Sequence, residues 1–369
     1  MAGLVPAIHV FPSVGILVGS KVVDARGKPE HDDRAWGKAT APAMSKLARF
    51  LTGRLVKAAI TVLAVLVMNF VLIRLAPGDP ASVMAGEAGA ADPKFVAQLR
   101  EQFGLDRPLP EQLWIYMRGI LQLDLGYSAR QQRPVSALIA ERLPGTLLLT
   151  GAAFVIALGC GVALGALAAS RVGSWADSAI TALALLAYAT PIFWVGLMLV
   201  LLFSVELNWL PSLGMETVGA RLSGLAHLGD IGAHLVLPAV TLGLFFMAIY
   251  ARLTRAEMLE VADQDFVKTA RAKGVREGRI VRVHVLRNAL LPVVTFAGIQ
   301  AGQLIGGSIL VETVFAWPGI GRLAFEALLQ REYNTLLGVF AVTAVMVVLL
   351  NLLTDLIYAV VDPRIEVAA

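Results

Sequence analysis

Asp263-Gln264-Asp265-Phe266-Val267-Lys268-Thr269-Ala270-Arg271-Ala272-Lys273-Gly274-Val275 forms the centre of a polar stretch, Arg252 to Arg287, in a chain that is otherwise mostly apolar. Nine Lys and Arg fall within that stretch, and apolar runs flank it on both sides. A basic loop between two apolar runs faces the cytoplasm, because Lys and Arg are retained on that side of a membrane. Its centre reads as one short, capped helix. Asp263 or Asp265 is placed to serve as N-cap, where a carboxylate accepts from orphan backbone N–H groups and suits the positive helix end. Arg271 and Lys273 fill the last turn, and Gly274 stands where a C′ glycine ends a helix. A surface helix with so little core of its own is expected to dock into something else.

Composition sets the setting for that loop. The 369 residues are 57% hydrophobic and 16% charged, with a mean hydropathy of +0.72. Soluble domains carry nearer a quarter charged residues, so this is an integral membrane protein. The net charge of +4 fits a cytoplasmic Lys/Arg excess and does not argue for nucleic acid. The single cysteine, Cys160, allows no intrachain disulfide. Six runs are long enough to cross a bilayer, at about 55–75, 144–169, 177–205, 232–252, 290–311 and 335–360. The third carries Pro191 at its middle and is expected to kink there. Lys46, Arg49, Arg54 and Lys57 precede the first run and Arg171 follows the second, so both termini are expected on the cytoplasmic side.

Three segments follow: an extension over 1–43, the first span with an outward segment over 44–143, and a five-span core over 144–369. The extension carries a short apolar run broken by Pro12, lacks the basic start of a signal peptide, and precedes a good internal start at Met44. It is expected to be disordered or the product of an upstream start codon. In the outward segment, Phe103 to Pro110 is rich in turn residues and Tyr116 to Leu123 reads as helix. Small residues recur every four positions at Ala157, Gly161, Gly165 and Ala169, and again at Gly298, Gly302 and Gly306. Such stripes let backbones approach closely, either within the subunit or, for the second stripe, against a partner permease along the translocation path. Phe315 and Trp317 suit an outer membrane interface.

The basic loop resembles the cytoplasmic coupling segment of ABC-importer permeases. Their general pattern is Glu-Ala-Ala, three residues, Gly, nine residues, then Ile-x-Leu-Pro. Of that pattern Ala270, Gly274 and Leu286 are kept. The dipeptide/oligopeptide branch instead reads Thr-Ala-Arg-Ala-Lys-Gly and Arg-Asn-Ala-Leu-Leu-Pro, and both strings stand here, at Thr269–Gly274 and Arg287–Pro292. Arg74-Leu75-Ala76-Pro77-Gly78-Asp79-Pro80, Trp317-Pro318-Gly319-Ile320-Gly321 and the closing Asp362-Pro363-Arg364 match the same branch, and the outward segment resembles its B-type subunit. The resemblance covers about residues 45 to 365.

It implies an all-α fold of six transmembrane helices, the type I (MetI-like) importer arrangement, in a bacterial inner membrane. It also implies a heterodimer with a second permease, two cytoplasmic ATPase subunits that use ATP and Mg, and an extracytoplasmic solute-binding protein. The cargo implied is a dipeptide or oligopeptide, with glutathione, nickel chelates and sugars as alternatives in the same importer class. On this resemblance Asp263, Asp265, Phe266, Thr269, Ala270, Arg271, Ala272, Lys273 and Gly274 form the ATPase-coupling helix. Ala270 and Gly274 would seat it closely, while Arg271 and Lys273 would meet acidic groove residues.

The sequence carries no Gly-x4-Gly-Lys-Ser/Thr phosphate loop and no His-Glu-x-x-His spacing. No ionisable residue stands in the middle of an expected span, as a proton relay would need. A secondary carrier and a membrane-embedded enzyme are therefore the weaker readings.

Overall fold

The computed structural model describes residues 43–75, 93–102, 106–128 and 130–361. The expected extension falls almost wholly outside the described residues, as do Pro77–Pro80 and Asp362–Arg364. The chain divides into two compact units at Leu51/Thr52, and the described part of the first, residues 43–51, is helical.

The helices are α1 (Ala43–Leu75), α2 (Pro93–Gln102), α3 (Leu109–Leu121), α4 (Val135–Ser170), α5 (Trp175–Ala189), α6 (Ile192–Leu199), α7 (Leu225–Ala262), α8 (Asp265–Ala272), α9 (Arg287–Val314), α10 (Ile320–Leu329) and α11 (Tyr333–Val361). A two-residue ladder, Tyr127–Ser128 against Arg133–Pro134, interrupts the all-α pattern just before α4. Among the described residues two π-helical turns occur, Val200–Glu206 after α6 and Ile280–Leu286 before α9.

Among the described residues, five apolar helical segments are long enough to span: Thr52–Leu72, Val135–Ser170, Leu225–Ala262, Glu277–Val314 and Tyr333–Thr354. A sixth crossing is counted if α5 and α6 with its π-turn form one broken span. The kink expected at Pro191 is a sharp break of 106°. Thr190 and Pro191 both take extended backbone there, and Pro191 has no N–H with which to continue the ladder. Most spans run past the expected limits, and α7 continues through its polar end as far as Ala262.

Helix α4 and helix α7 pack side by side in the same direction over the first small-residue stripe, with 153–156 beside 243, 161 beside 250 and 165 beside 254. A Cβ on Gly161 would stand 2.6 Å from Tyr250 Cβ, and one on Gly165 would stand 2.7 Å from Thr254 Cβ. The stripe therefore serves packing within the subunit, where small residues gain van der Waals contact that lipid would otherwise supply. Around it lies the main core, with Leu149, Leu242, Phe246, Tyr250, Val293 and Leu304. Phe315 and Trp317 belong to this core and not to an exposed interface: both are buried, and Trp317 Nε1–H donates to Gly145 O at 2.8 Å. The indole finds its polar partner inside the protein, which removes the reason for it to sit at the headgroups.

The end of the bundle remote from α8 is held by three carboxylates, of which Glu312 is buried. Glu312, wholly buried in the last turn of α9, accepts from Thr146 Oγ1 at 2.8 Å, Ser308 Oγ at 3.0 Å and the Arg322 backbone N–H at 2.9 Å. Arg322 is the third residue of α10, so Glu312 caps that helix from a neighbouring one. The Trp-Pro-Gly-Ile-Gly string follows from this: a Cβ at Gly319 would collide with the Glu312 carboxyl group. Glu332, just before α11, accepts from Ser128 Oγ and from the Arg130 N–H, which ties the small ladder to the bundle. Asp230 holds the loop before α7 by accepting from Thr217 N–H and Oγ1, both at 2.7 Å.

Candidate functional site: the α7–α9 loop

Helix α7 takes Asp263 as its C-cap, and Gln264 alone, in extended backbone, separates it from α8. Gln264 is therefore the N-cap of α8, and no side chain caps the helix. This corrects the expectation for Asp263 and Asp265. Because α7 runs on through its polar end, Asp263 is consumed as its terminus, and Asp265 falls at the first helical position. There its carboxylate still lies at the positive end of the helix, and it pairs with Lys268 Nζ at 3.1 Å.

The other end matches the sequence reading. Gly274 has φ +73°, its N–H donates to Arg271 O at 2.9 Å, and Val275 N–H donates to Ala270 O at 3.2 Å. These two bonds are the Schellman pattern, which satisfies two of the orphan carbonyls. No heavy atom lies within 4 Å of where a Cβ on Gly274 would stand, so its backbone sign, not its local space, demands glycine.

Two faces emerge. Val267 and Ala270 are buried against Met258, Val261, Ile280, Val285 and Ala289. The loop thus has a small core, and Ala270 faces inward. The sequence could not reveal this, because the cluster is assembled by the end of α7 and the π-helical turn before α9. The outward face is Phe266, Thr269 and Lys273, at i, i+3 and i+7, with Asp265 and Ala272 also exposed. Phe266 keeps 42% of its surface open outside the apolar spans.

Arg271 is not free to reach a partner: its Nη2 donates to Glu277 Oε1 at 2.9 Å, bridging the turn at Gly274. That carboxylate raises the Arg271 pKa further above its ordinary value. Both groups are exposed, so the pair orients the turn and adds little stability. Lys273 is exposed and has no hydrogen-bonding or ionic partner among the described residues, as is also true of Arg276, Arg279 and Arg282.

A link that sequence reading missed joins this end to the broken span. Arg255, two turns before the end of α7, donates through Nε (2.7 Å) and Nη2 (2.9 Å) to the two carboxylate oxygens of Asp177. Asp177 is only 5% exposed in the first turn of α5, where it also accepts from Gly173 N–H while Ser174 Oγ caps its own N–H. The only available signal was Ser174-x-x-Asp177, which marks a helix start and not a partner. The second small stripe is also used within the chain. A Cβ on Gly298 would strike Thr354, one on Gly302 would stand 3.2 Å from Val347 Cγ1, and Gly306 has open space.

Residues 161–367 match the model of the binding-protein-dependent transport system inner membrane component, and residues 47–150 match that of its N-terminal part. The chain is 40% identical over 335 residues to the dipeptide transport system permease protein DppB of Escherichia coli (strain K12), covering 86% of this chain and 98% of that one. It is 41% identical over 306 residues to the glutathione transport system permease protein GsiC of Pectobacterium atrosepticum, covering 83% and 95%. Among solved structures, the inward-facing MetNI methionine ABC transporter aligns over 61% of this chain and 96% of its own, at 20% identity and a TM-score of 0.49. With two family models covering its spans and 40% identity to a dipeptide permease over most of both chains, the chain belongs to the inner membrane components of binding-protein-dependent transport systems, the multi-pass permease subunits of ABC importers.

Proposed function

We propose that this permease carries peptides of the dipeptide or oligopeptide class and is driven by ATPase subunits that dock on α8. The reading places it in a heterodimer with a second permease, with two cytoplasmic ATPases using ATP and Mg, an extracytoplasmic binding protein delivering cargo, and both termini in the cytoplasm. Peptide cargo is supported by the 40% identity to a dipeptide permease over most of both chains. Glutathione, itself a peptide, is the second reading, supported by the similar identity to a glutathione permease.

The observation that carries the coupling role is the two-faced α8, with Val267 and Ala270 locked into the chain's own core and Phe266, Thr269 and Lys273 turned outward. A helix gripped from behind transmits a push instead of yielding to it. The route onward is α7, then the close α4–α7 seam, and the Arg255–Asp177 pair to the broken span. Closure of the ATPases would move α8 and these helices together and switch access from one side to the other.

The test is uptake of a labelled dipeptide into proteoliposomes holding both permeases and both ATPases, with binding protein supplied on the receiving face. ATP-dependent uptake that Phe266→Ala strongly reduces, with the complex still assembled, supports the reading. Uptake that proceeds without ATPases would overturn it.

A further inference from the structure

The structure assigns α3 a role outside the translocation machinery: we propose that it is an interfacial helix whose Trp114–Leu121 face lies in the lipid boundary beside the end of α1. Tyr116, on the opposite face of α3, stacks on Phe70 of α1 with ring centroids 5.9 Å apart and planes 27° apart. Gln112, one turn earlier on that same inner face, is buried and donates to Arg107 O at 2.7 Å. Phe70 lies inside the apolar segment Thr52–Leu72, two residues from its end, or about 3 Å along the helix axis. That stack fixes the depth of α3. It stands level with the last turn of a membrane span, not out in the aqueous phase.

The free face suits that depth. Trp114 and Leu121, at i and i+7, are 67% and 83% exposed, and Ile115 is exposed beside them. Leu123, immediately after the helix, is also exposed. Arg118 lies between Trp114 and Leu121 on the same face, exposed and with no partner among the described residues. An indole at the boundary, aliphatic side chains below it and a guanidinium able to reach phosphates is the pattern of a helix lying in the plane of a membrane. The occupant is lipid because this face continues the surface of α1, where Met68, Val71 and Leu72 are exposed on a spanning helix. Arg118 adds a preference for anionic headgroups, since a guanidinium pairs well with phosphate.

The experiment uses the full transporter complex in nanodiscs of phosphatidylethanolamine and phosphatidylglycerol. Trp114→Cys and, separately, Leu121→Cys are made in a Cys160→Ser background and carry a nitroxide. Collision accessibility is then compared between oxygen, which enters hydrocarbon, and a water-soluble nickel complex. Met68→Cys on α1 serves as the lipid reference, and Val218→Cys, on a fully exposed loop residue, as the water reference. Both α3 labels are expected to favour oxygen, as at position 68. Labels that favour nickel, as at 218, would put the face in water and overturn the proposal. Labels shielded from both would show that a protein partner covers it, which also overturns it. Retained peptide uptake by each labelled complex, measured in proteoliposomes, shows that the fold is intact, and the depth reading does not depend on how α8 couples to ATP.

Discussion

Replacing Gly274 isolates the backbone of the coupling helix from everything around it. The residue sits at φ +73°, and apart from its chain neighbours no atom of the described residues lies within 4 Å of a Cβ position. Within the chain, therefore, a substitution brings conformational strain and no clash. A left-handed backbone costs an ordinary L-residue roughly 1–2 kcal/mol, and a β-branched one resists it most. Since about 1.4 kcal/mol is a factor of ten, Gly274→Val shifts the loop about tenfold toward a form without the Arg271 and Ala270 carbonyl bonds. The loop lies outside the apolar spans, so insertion and abundance should stay intact while binding-protein-stimulated ATPase activity and uptake fall together. Gly274→Asn is the informative partner, because asparagine tolerates the left-handed region and should keep most of the activity. Transport by Gly274→Val at the parent rate, with the ATPase bound, would refute the reasoning. If Asn failed as badly as Val, bulk against the partner would be the cause and not the backbone.

Ala270→Asp should lower the amount of folded permease in the membrane before it affects docking, because it buries a carboxylate among Val267, Ile280 and Ala289; quantitative blotting of the membrane fraction checks this. Arg255→Ala leaves the Asp177 carboxylate without its bidentate partner and should lower the melting temperature, while paired replacement of both by Met and Leu should recover much of the loss in a thermal-unfolding assay. Glu312→Ala removes the acceptor of Thr146 Oγ1 and of the Arg322 N–H, each worth about 1–3 kcal/mol when left unpaired, while Ser308 Oγ keeps Ile305 O; the melting temperature of the purified complex should fall sharply.

What the sequence disclosed and what it withheld divide along sequence separation. The stop at Gly274 is local, set by the residue's own freedom and by the carbonyls three and four positions before it, so it was readable. The apolar runs were readable for the same reason, as was the break at Pro191, though not that it would reach 106°. Which way α8 faces was not, since Ala270 is buried only because Met258 and Ile280 meet over it. The Arg255–Asp177 pair joins residues 78 apart, and Thr146 meets Glu312 across 166. Nothing in either neighbourhood names its partner. Phe315 and Trp317 were misplaced by composition alone: aromatic residues near a span end favour an interface, but here Gly145 O supplies the indole's partner inside.

Site-directed crosslinking along α8 tests the central claim most directly. In a Cys160→Ser background, single cysteines at Phe266, Thr269 and Lys273 should each form a crosslink to an ATPase subunit of the assembled complex, with a yield that changes on ATP binding. Cysteines at the buried Val267 and Ala270 should not. Crosslinks absent from 266, 269 and 273, or labelling of those positions from the extracytoplasmic face of intact cells, would contradict the claim that α8 receives the ATPase's motion.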